Sequence, residues 1–449
     1  MELPALITTL RSALESDTVP LLREQLIDVH PADLASALVE FETSDLWTLL
    51  TVFPRAEQAK VFGYLPPEEQ VNLSIRISRR KLAPIIRQMP PDERAALFHR
   101  LSDEQRETLL PALAQAERED LLRLTAHEQG TAGSIMTSDY AILATDLTVA
   151  QSLESLRREA PDKETIYFAY VVDHHRKLIG VVSLRDLILA PVSMPIIELM
   201  NQDPIYASVD MPQEEVAALI AKYDLLALPI INNQEQMVGI VTYDDAMDVA
   251  EEEATEDFHK NATIGKLESS VKDASIMLLY RKRVLWLVIL VFGNIFSGAG
   301  IAYFEGTISA HLALLFFLPL LIGSSGNAGA QSGTLMVRAL ATGDIKLRDW
   351  GALLAKECVV AGLLGFTMAA AVVGLGWWRG GYDIAIVVAI TMMFVVMVGS
   401  LIGLSLPFLL SRFNLDPATA SGPLITSIAD VAGVVLYFSI ATWYLGLSL

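Results

Sequence analysis

The stretch "SGPLITSIADVAGVVLYFSI" (421–440) has the length and apolar character of a membrane-spanning helix, yet Asp430 sits near its middle. A charge at membrane depth costs at least ~2.5 to 3.5 kcal/mol on insertion scales, so one that persists faces water, an ion or a partner. Further apolar runs at about 284–304, 310–340, 353–376 and 384–410, with 420–446, bring the expected number of spans to five.

Working outward, the composition breaks at residue 283. Residues 284–449 hold 7 of the 53 acids and 6 of the 33 bases, which leaves 46 acids and 27 bases, a net charge of −19, in the first 283 residues. Such an acidic excess disfavours nucleic acid or an anionic lipid surface as a partner and favours cations. Arg281, Lys282 and Arg283 precede the first span, Arg338, Lys346, Arg348 and Lys356 bracket the 2–3 loop, and Arg412 lies in the 4–5 loop. The other side has only Arg379. The bias of basic residues therefore predicts a multi-pass membrane protein with a cytoplasmic N-terminal part and an external C-terminus. The opening MELPALITTLRSALESD lacks the basic and apolar regions of a signal peptide, in keeping with that expectation. Cys358 is the single cysteine, so one chain offers neither a disulfide framework nor a thiolate metal site.

The second span contains "LPLLIGSSGNAGAQSGTLMVRAL" (318–340), where Gly323, Ser324, Ser325, Gly326, Asn327, Gly329, Gln331 and Gly333 interrupt the apolar pattern. Small residues permit close helix packing. They also allow backbone carbonyls to line a water-filled path, on which Asn327 and Gln331, four apart, share one helical face. With Asp430 these oxygens form a hard-cation environment, without the His or Cys that softer metals prefer.

The soluble half contains two kinds of repeat. In residues 1–130 the segments "HPAD" (30–33), "TSDL" (43–46), "FPRAEQ" (53–58), "LPPEEQ" (65–70), "MPPDER" (89–94) and "LSDEQR" (101–106) read as helix starts. Their spacings near 12 or 24 predict an all-α superhelical domain of short helices. Residues 131–195 and 196–255 form a clearer duplication, each an apolar strand, a polar turn and a second strand with Gly180 or Gly239, then Ser/Thr-x-x-Asp and a helix. Gly180 to Gly239 and Asp186 to Asp245 share one offset of 59. This α/β pattern resembles a tandem cystathionine-β-synthase (CBS) pair, a regulatory module that often binds adenine nucleotides. The resemblance implies Asp186 and Asp245 at ribose-binding positions, with an Asp at a helix start as the simpler alternative. Beyond it, Asp244, Asp245, Asp248, Glu251, Glu252, Glu253, Glu256 and Asp257 crowd a few helical turns. Like charges at i,i+4 repel, and cations between this helix and its neighbours relieve the repulsion.

An acidic helical domain (1–130), a CBS pair, a connecting or plug helix (256–283) and a five-helix membrane domain (284–449), in that order, resemble the MgtE family of magnesium channels. The most specific segments are "GNAGAQSGTLMVRALATGD" (326–344) and "DPATASGPLITSIADVAGVVLYF" (416–438). The resemblance implies a homodimer in the lipid of the plasma (inner) membrane, with no obligatory protein partner and no enzymatic activity. It implies a Mg²⁺-conducting pore between the two membrane domains, with Asp430 and Asn327 as pore residues beside Gly326 and Gln331. It further implies Mg²⁺ gating ligands at Asp92, Glu93, Glu214, Asp224, Asp245, Asp248, Glu253, Glu256, Asp257 and Asp416. ATP is the implied regulatory ligand, with Phe168 on the base and Arg185 and Asp186 at the sugar and phosphates.

Three other readings compete. A channel or exchanger for Co²⁺, Mn²⁺ or Ca²⁺ keeps the fold, although the oxygen-only donors disfavour soft metals. A membrane-anchored magnesium sensor leaves the charge in the fifth span unexplained. A membrane-embedded metallohydrolase needs a ligand set such as HExxH, but "HEQGT" (127–131) lacks the second His, and His311 is the only histidine beyond 283.

Overall fold

Proline fixes φ near the helical value and has no N–H to lose, so it opens helices readily. In the computed structural model the N-terminal segment accordingly starts helices at Pro31–Leu38, Pro67–Arg76 and Pro91–Arg100. Thr43–Leu50, Arg55–Gly63 and Asp103–Leu109 begin where the other three signals stand, the last with a Ser102/Gln105 capping box. All residues are described except 1, 17, 27, 266–270, 272, 273, 414, 448 and 449. The chain divides into two units, Met1–Glu252 and Glu253–Leu449.

A twelve-residue device ties the first unit's helices together. Gln58 Nε2 donates to the Phe53 carbonyl, and Gln70 Nε2 donates to those of Phe62, Gly63 and Leu65. Arg106 donates to Phe98 and His99, and Arg118 to Leu110 and Leu113. Each side chain reaches back from the first turn of its helix to satisfy the free carbonyls that end the preceding one. The apolar faces beneath, including Leu46, Leu49, Phe62, Ile85 and Leu97, are fully buried.

The duplication folds as two like sheets. β1 (Tyr140–Ala144), β2 (Thr165–Val172) and β3 (Leu178–Ser183) lie in the order 1-2-3, with β1 parallel and β3 antiparallel to β2. β4 (Ala207–Ser208), β5 (Ala227–Ile231) and β6 (Met237–Thr242) repeat the arrangement. The 59-residue offset holds in the register, since Val171 pairs with Gly180 and Ile230 with Gly239. The duplicated glycines have a steric cause. A Cβ on Gly180 would stand 2.9 Å from the Asn201 carbonyl of the second repeat, and one on Gly239 2.9 Å from the Thr137 carbonyl of the first. The two repeats therefore exchange backbone bonds, Val181 with Asn201 and Ile240 with Thr137.

α1 (Tyr243–Asn261) follows β6 directly. The expected connecting segment thus begins as helix, and Thr263 takes a left-handed φ of 56° just beyond it. Seven of its residues lie outside the described set.

The second unit contains α2 (Ile276–Tyr303), α3 (Ala313–Ala341), the stretch Trp350–Arg412 and α6 (Gly422–Leu445). At 63 residues Trp350–Arg412 would extend roughly 95 Å as one rod, some three times a bilayer core. It is broken at Gly381 (φ 79°, ψ −173°) into α4 (350–380) and α5 (382–412), which fold back on each other. Gly376 lies against Ala385, and Gly365 against the Met393 backbone. These are the expected third and fourth spans, giving five membrane-length helices.

The small residues of the second span pack, and α3 runs through them unbroken. Gly329 meets the Gly399 carbonyl and Ile425, while Gly399 and Gly403 lie against the Ser325 and Gly329 carbonyls. Such backbone approach supplies the dispersion contacts that hold helices together where no hydrophobic drive exists.

Candidate functional site

Asp430 lies on α6, whose start is capped by Ser421 Oγ accepting from the Leu424 N–H. Several polar groups of the unit find partners: Ser325 bonds the Val395 carbonyl, Tyr437 the Leu314 carbonyl, and Thr307 pairs with Thr442, whereas the Ser297, Ser332 and Thr391 hydroxyls do not. Among the described residues Asp430 Oδ1 is the carboxylate oxygen of this unit that is shielded from solvent with no partner. Thr426 and Gly433, about a turn either side of Asp430, touch Gly326 and Ser325 respectively. Asp430 therefore stands level with the Gly326–Asn327 turn of α3. Gly326 is buried in that contact, whereas Asn327 and Gln331 are exposed on the adjoining face of the single chain.

A second acidic group lies in the same unit. Asp416 Oδ1 accepts from the Ala418 N–H and its Oδ2 from Lys260 Nζ, at 2.8 and 2.6 Å. Lys260 also bonds Glu256 at 2.7 Å. Burial works to lower the Lys260 ammonium, but its bonds to Asp416 and Glu256 prevail and hold it above the ordinary lysine range. Burial, then the Asp416 charge, raises Asp257. Three candidate ligands thus converge around a cation the chain itself supplies. Glu253 is half-buried one turn earlier on α1.

The first unit gathers a group of acids around one buried carboxyl, Asp92, with Glu93 and Asp245 half-buried and Glu164, Asp244 and Asp248 at its exposed edge. Asp92 and Glu93, at the start of Pro91–Arg100, meet Glu164 and the first turns of α1. Asp92 is pushed up to about 7 by burial, then by Glu164 and Glu93. Glu93 rises to about 7 through burial, Glu164, Asp245, Asp244 and Asp248. Glu164 reaches about 7 from burial and the charges of Asp245, Asp244 and Asp139. Asp245 is raised by burial and Asp92, although Thr242 donates to it at 2.6 Å. Asp248 is raised by burial and by Asp244. Asp92 Oδ1 and Glu93 Oε2 are buried without a donor, and Gly63 leaves the room that the Glu93 carboxyl occupies. Buried carboxyls in this state take up either protons or cations.

Among the described residues no three His, Cys, Asp or Glu side chains converge as a closed metal cage. The donor set nevertheless fits a cation that keeps much of its water and takes one or two carboxylates. Metal-free, Asp92, Glu93 and Glu164 sit near 7 when folded against about 4 when unfolded, and Asp245 and Asp248 are shifted in the same direction, so the folded unit binds the extra protons. Its stability therefore falls as pH rises from about 4 through 7. Divalent binding needs the ionised form and expels those protons. Titrating the protein with a divalent cation such as Mg²⁺ at pH 7, by calorimetry in buffers of different ionisation enthalpy, tests for that release. For one proton per ion, apparent affinity should rise on the order of tenfold from pH 6 to pH 7.

Other candidates lie apart. Glu214 and Asp224 are exposed near opposite ends of Gln213–Lys222 and stand about 15 Å apart along it, too far to share one ion directly. Phe168 is half-buried opposite Ser183 in the β2–β3 pairing. Arg185 and Asp186 are exposed on Leu184–Leu189. Ser183 Oγ accepts from the Asp186 N–H at 3.0 Å and donates to its carboxylate at 2.6 Å, a helix cap that leaves one Asp186 oxygen for a ligand. Sequence reasoning missed Glu164 and Lys260 as participants. Glu164 precedes an apolar strand and carries no local signal, whereas the i,i+4 pair Glu256–Lys260 could have drawn attention to Lys260.

The chain matches three family models: "MgtE intracellular N domain" over residues 29–130, "CBS domain" over 132–193 and 196–252, and "Divalent cation transporter" over 318–440. It is 39% identical to the magnesium transporter MgtE of Thermus thermophilus, over 97% of this chain and 98% of that protein. With the magnesium transporter MgtE of Bacillus subtilis it shares 32% identity over 94% of each chain. Among solved structures, the cytosolic domain of the Mg²⁺ channel MgtE in complex with ATP is similar at 36% identity and a TM-score of 0.52, covering 54% of this chain and 99% of that one. The acidic helical domain, the CBS pair and the membrane helices are those of a transporter and not of an enzyme, and the chain belongs to the MgtE family of magnesium transporters.

Proposed function

We propose that two copies of this chain form a Mg²⁺-selective channel that imports magnesium across the plasma membrane and closes when cytosolic Mg²⁺ binds its acidic domains. The observation that carries the pore reading is Asp430 Oδ1, a shielded carboxylate oxygen without a partner on a membrane helix. Asn327 and Gln331, exposed on α3, likewise need water or a second subunit at membrane depth. Paired about a two-fold axis, these groups line a conduit whose carboxylates hold the ion through its water shell. Asp430 supplies charge, Asn327 and Gln331 supply amide oxygens, and Gly326 lets α6 approach. The N-terminal unit is cytoplasmic and the C-terminus external in this reading. The membrane potential alone drives entry, worth about 4.6 kcal/mol per divalent ion at 100 mV. Uptake into liposomes tests this: an imposed potential should drive Mg²⁺ entry, with Co²⁺, Mn²⁺ and Ca²⁺ competing only weakly. Uptake that requires a counter-ion gradient would indicate an exchanger instead.

For gating, α1 carries both acidic groups, Asp245 and Asp248 in its first turns and Glu253, Glu256 and Asp257 further on. Cytosolic Mg²⁺ at Asp92, Glu93, Asp245 and Asp248, and at Glu253, Glu256, Asp257 and Asp416, relieves repulsion and favours the closed state by binding it more tightly. Glu214 and Asp224 serve separate, weaker positions. Lys260 is a resident competitor at the second group. Lys260→Met should lower the cytosolic Mg²⁺ concentration for half-closure several-fold, read from flux against Mg²⁺; an unchanged or raised value would count against that role. ATP at Phe168, Arg185 and Asp186 adjusts the same equilibrium.

A further inference from the structure

A cleft of about 480 Å³ in the first unit lies between the helical domain and the first CBS repeat. None of the candidate ligands named above lines it. Arg94 and Arg123 line it from the helices, Lys163 and Arg176 from the repeat. Two of its three acids, Glu117 and Asp120, are held by partners. Glu117 caps its own helix at the Ala114 N–H and faces Arg87, and Asp120 pairs with Arg123 at 2.6 Å and accepts from Ser138. Asp139 adds its charge to the neighbouring Glu164.

The cations are not neutralised to the same degree. Among the described residues Arg94, Lys163 and Arg176 form no ion pair, and Arg176 donates only to the Tyr140 hydroxyl, at 2.8 Å. Arg94 is the exception in the twelve-residue series. Arg106 and Arg118 spend two bonds each on the preceding helix. Arg94 makes a single 3.4 Å bond to the Met89 carbonyl, is 6% exposed, and leaves Nη1 buried with no acceptor. An unsatisfied buried guanidinium nitrogen is costly, and an anion that reaches it recovers that cost. Tyr140, the cleft's aromatic residue, is itself buried and bonded to the Met237 carbonyl, so no open ring offers a base a stacking face.

We propose that this cleft binds a small phosphate-type polyanion, of inorganic pyrophosphate size, between Arg94 and Arg123 on one wall and Lys163 and Arg176 on the other. The phosphates accept from the free Arg94 Nη1 and from the Lys163 ammonium, with Arg176 at the mouth. The site is separate from the nucleotide positions at Phe168, Arg185 and Asp186. Free pyrophosphate and a nucleotide's phosphate tail offer the same chemistry, and the cleft favours the former because it lacks a base platform. Such an anion ties the helical domain to the first repeat beside Asp92 and Glu93. Its effect on flux rests on the gating reading, whereas its binding does not.

The test is calorimetry on the full-length protein in detergent, with EDTA present so that no metal–pyrophosphate complex forms. Pyrophosphate should bind the wild type. Binding should weaken at least tenfold in Lys163→Ala/Arg176→Ala, both outside the helical core, and in Arg94→Gln with circular dichroism unchanged. Asp186→Ala should bind pyrophosphate like the wild type and lose ATP alone. No binding at millimolar pyrophosphate, equal binding by the double variant and wild type, or loss of pyrophosphate binding in Asp186→Ala would each overturn the assignment.

Discussion

Asp430→Ala and Asp430→Asn should each abolish Mg²⁺ flux, a drop of at least about a hundredfold, while protein yield and elution volume in detergent stay unchanged. The asymmetry follows from what the residue touches. Among the described residues no donor reaches Asp430 Oδ1, so removing the charge breaks no bond seen in the fold. It should relieve desolvation and leave the helix packing around Ala429, Gly433 and Val434 intact. What it removes is the only carboxylate in the fifth span, and with it the charge that offsets partial dehydration of a divalent ion. Retained flux in both variants would make Asp430 structural and move the search for the ion path to Asn327 and Gln331.

The second large effect concerns closure. Asp92→Asn/Asp245→Asn should raise the cytosolic Mg²⁺ concentration that halves flux by at least about tenfold, and should stabilise the metal-free cytosolic unit at pH 8. Both follow from one fact: buried Asp92 and half-buried Asp245 lie close enough to repel, so each is costly to ionise without a cation. Amides remove the cost and the affinity together. The stabilisation should shrink towards pH 5, where the native carboxyls are already protonated. A double variant that closes at the wild-type Mg²⁺ concentration would exclude this cluster from gating.

Much of the architecture could be read from local chemistry. Pro31, Pro67 and Pro91 open helices where a missing N–H costs nothing, and the 59-residue offset reappears in the strand register. The fold-back at Gly381 separates two apolar runs whose combined length no bilayer accommodates. The site was legible only where a residue violates its surroundings, as Asp430 does in an apolar helix. The meeting of Glu164 with Asp92 and Asp245 depends on how a strand start, a helix start and α1 pack, and no spacing in the chain encodes it. Lys260 was legible as a base in an acidic helix, but its bond to Asp416, 156 residues away, was not. The glycines of "SSGNAGAQSG" fitted packing and a water path equally well as a pattern; Gly326, Gly329 and Gly333 prove to be packed against Thr426, Gly399 and Ile425.

The most direct test of the central claim is Mg²⁺ uptake into liposomes carrying the purified protein in one orientation, with the Mg²⁺ concentration on the cytoplasmic face varied independently of the driving gradient. The account predicts rapid entry at low cytoplasmic Mg²⁺ that falls steeply as cytoplasmic Mg²⁺ rises, at constant driving force. Entry that follows the gradient alone, indifferent to Mg²⁺ on the cytoplasmic face, would contradict it.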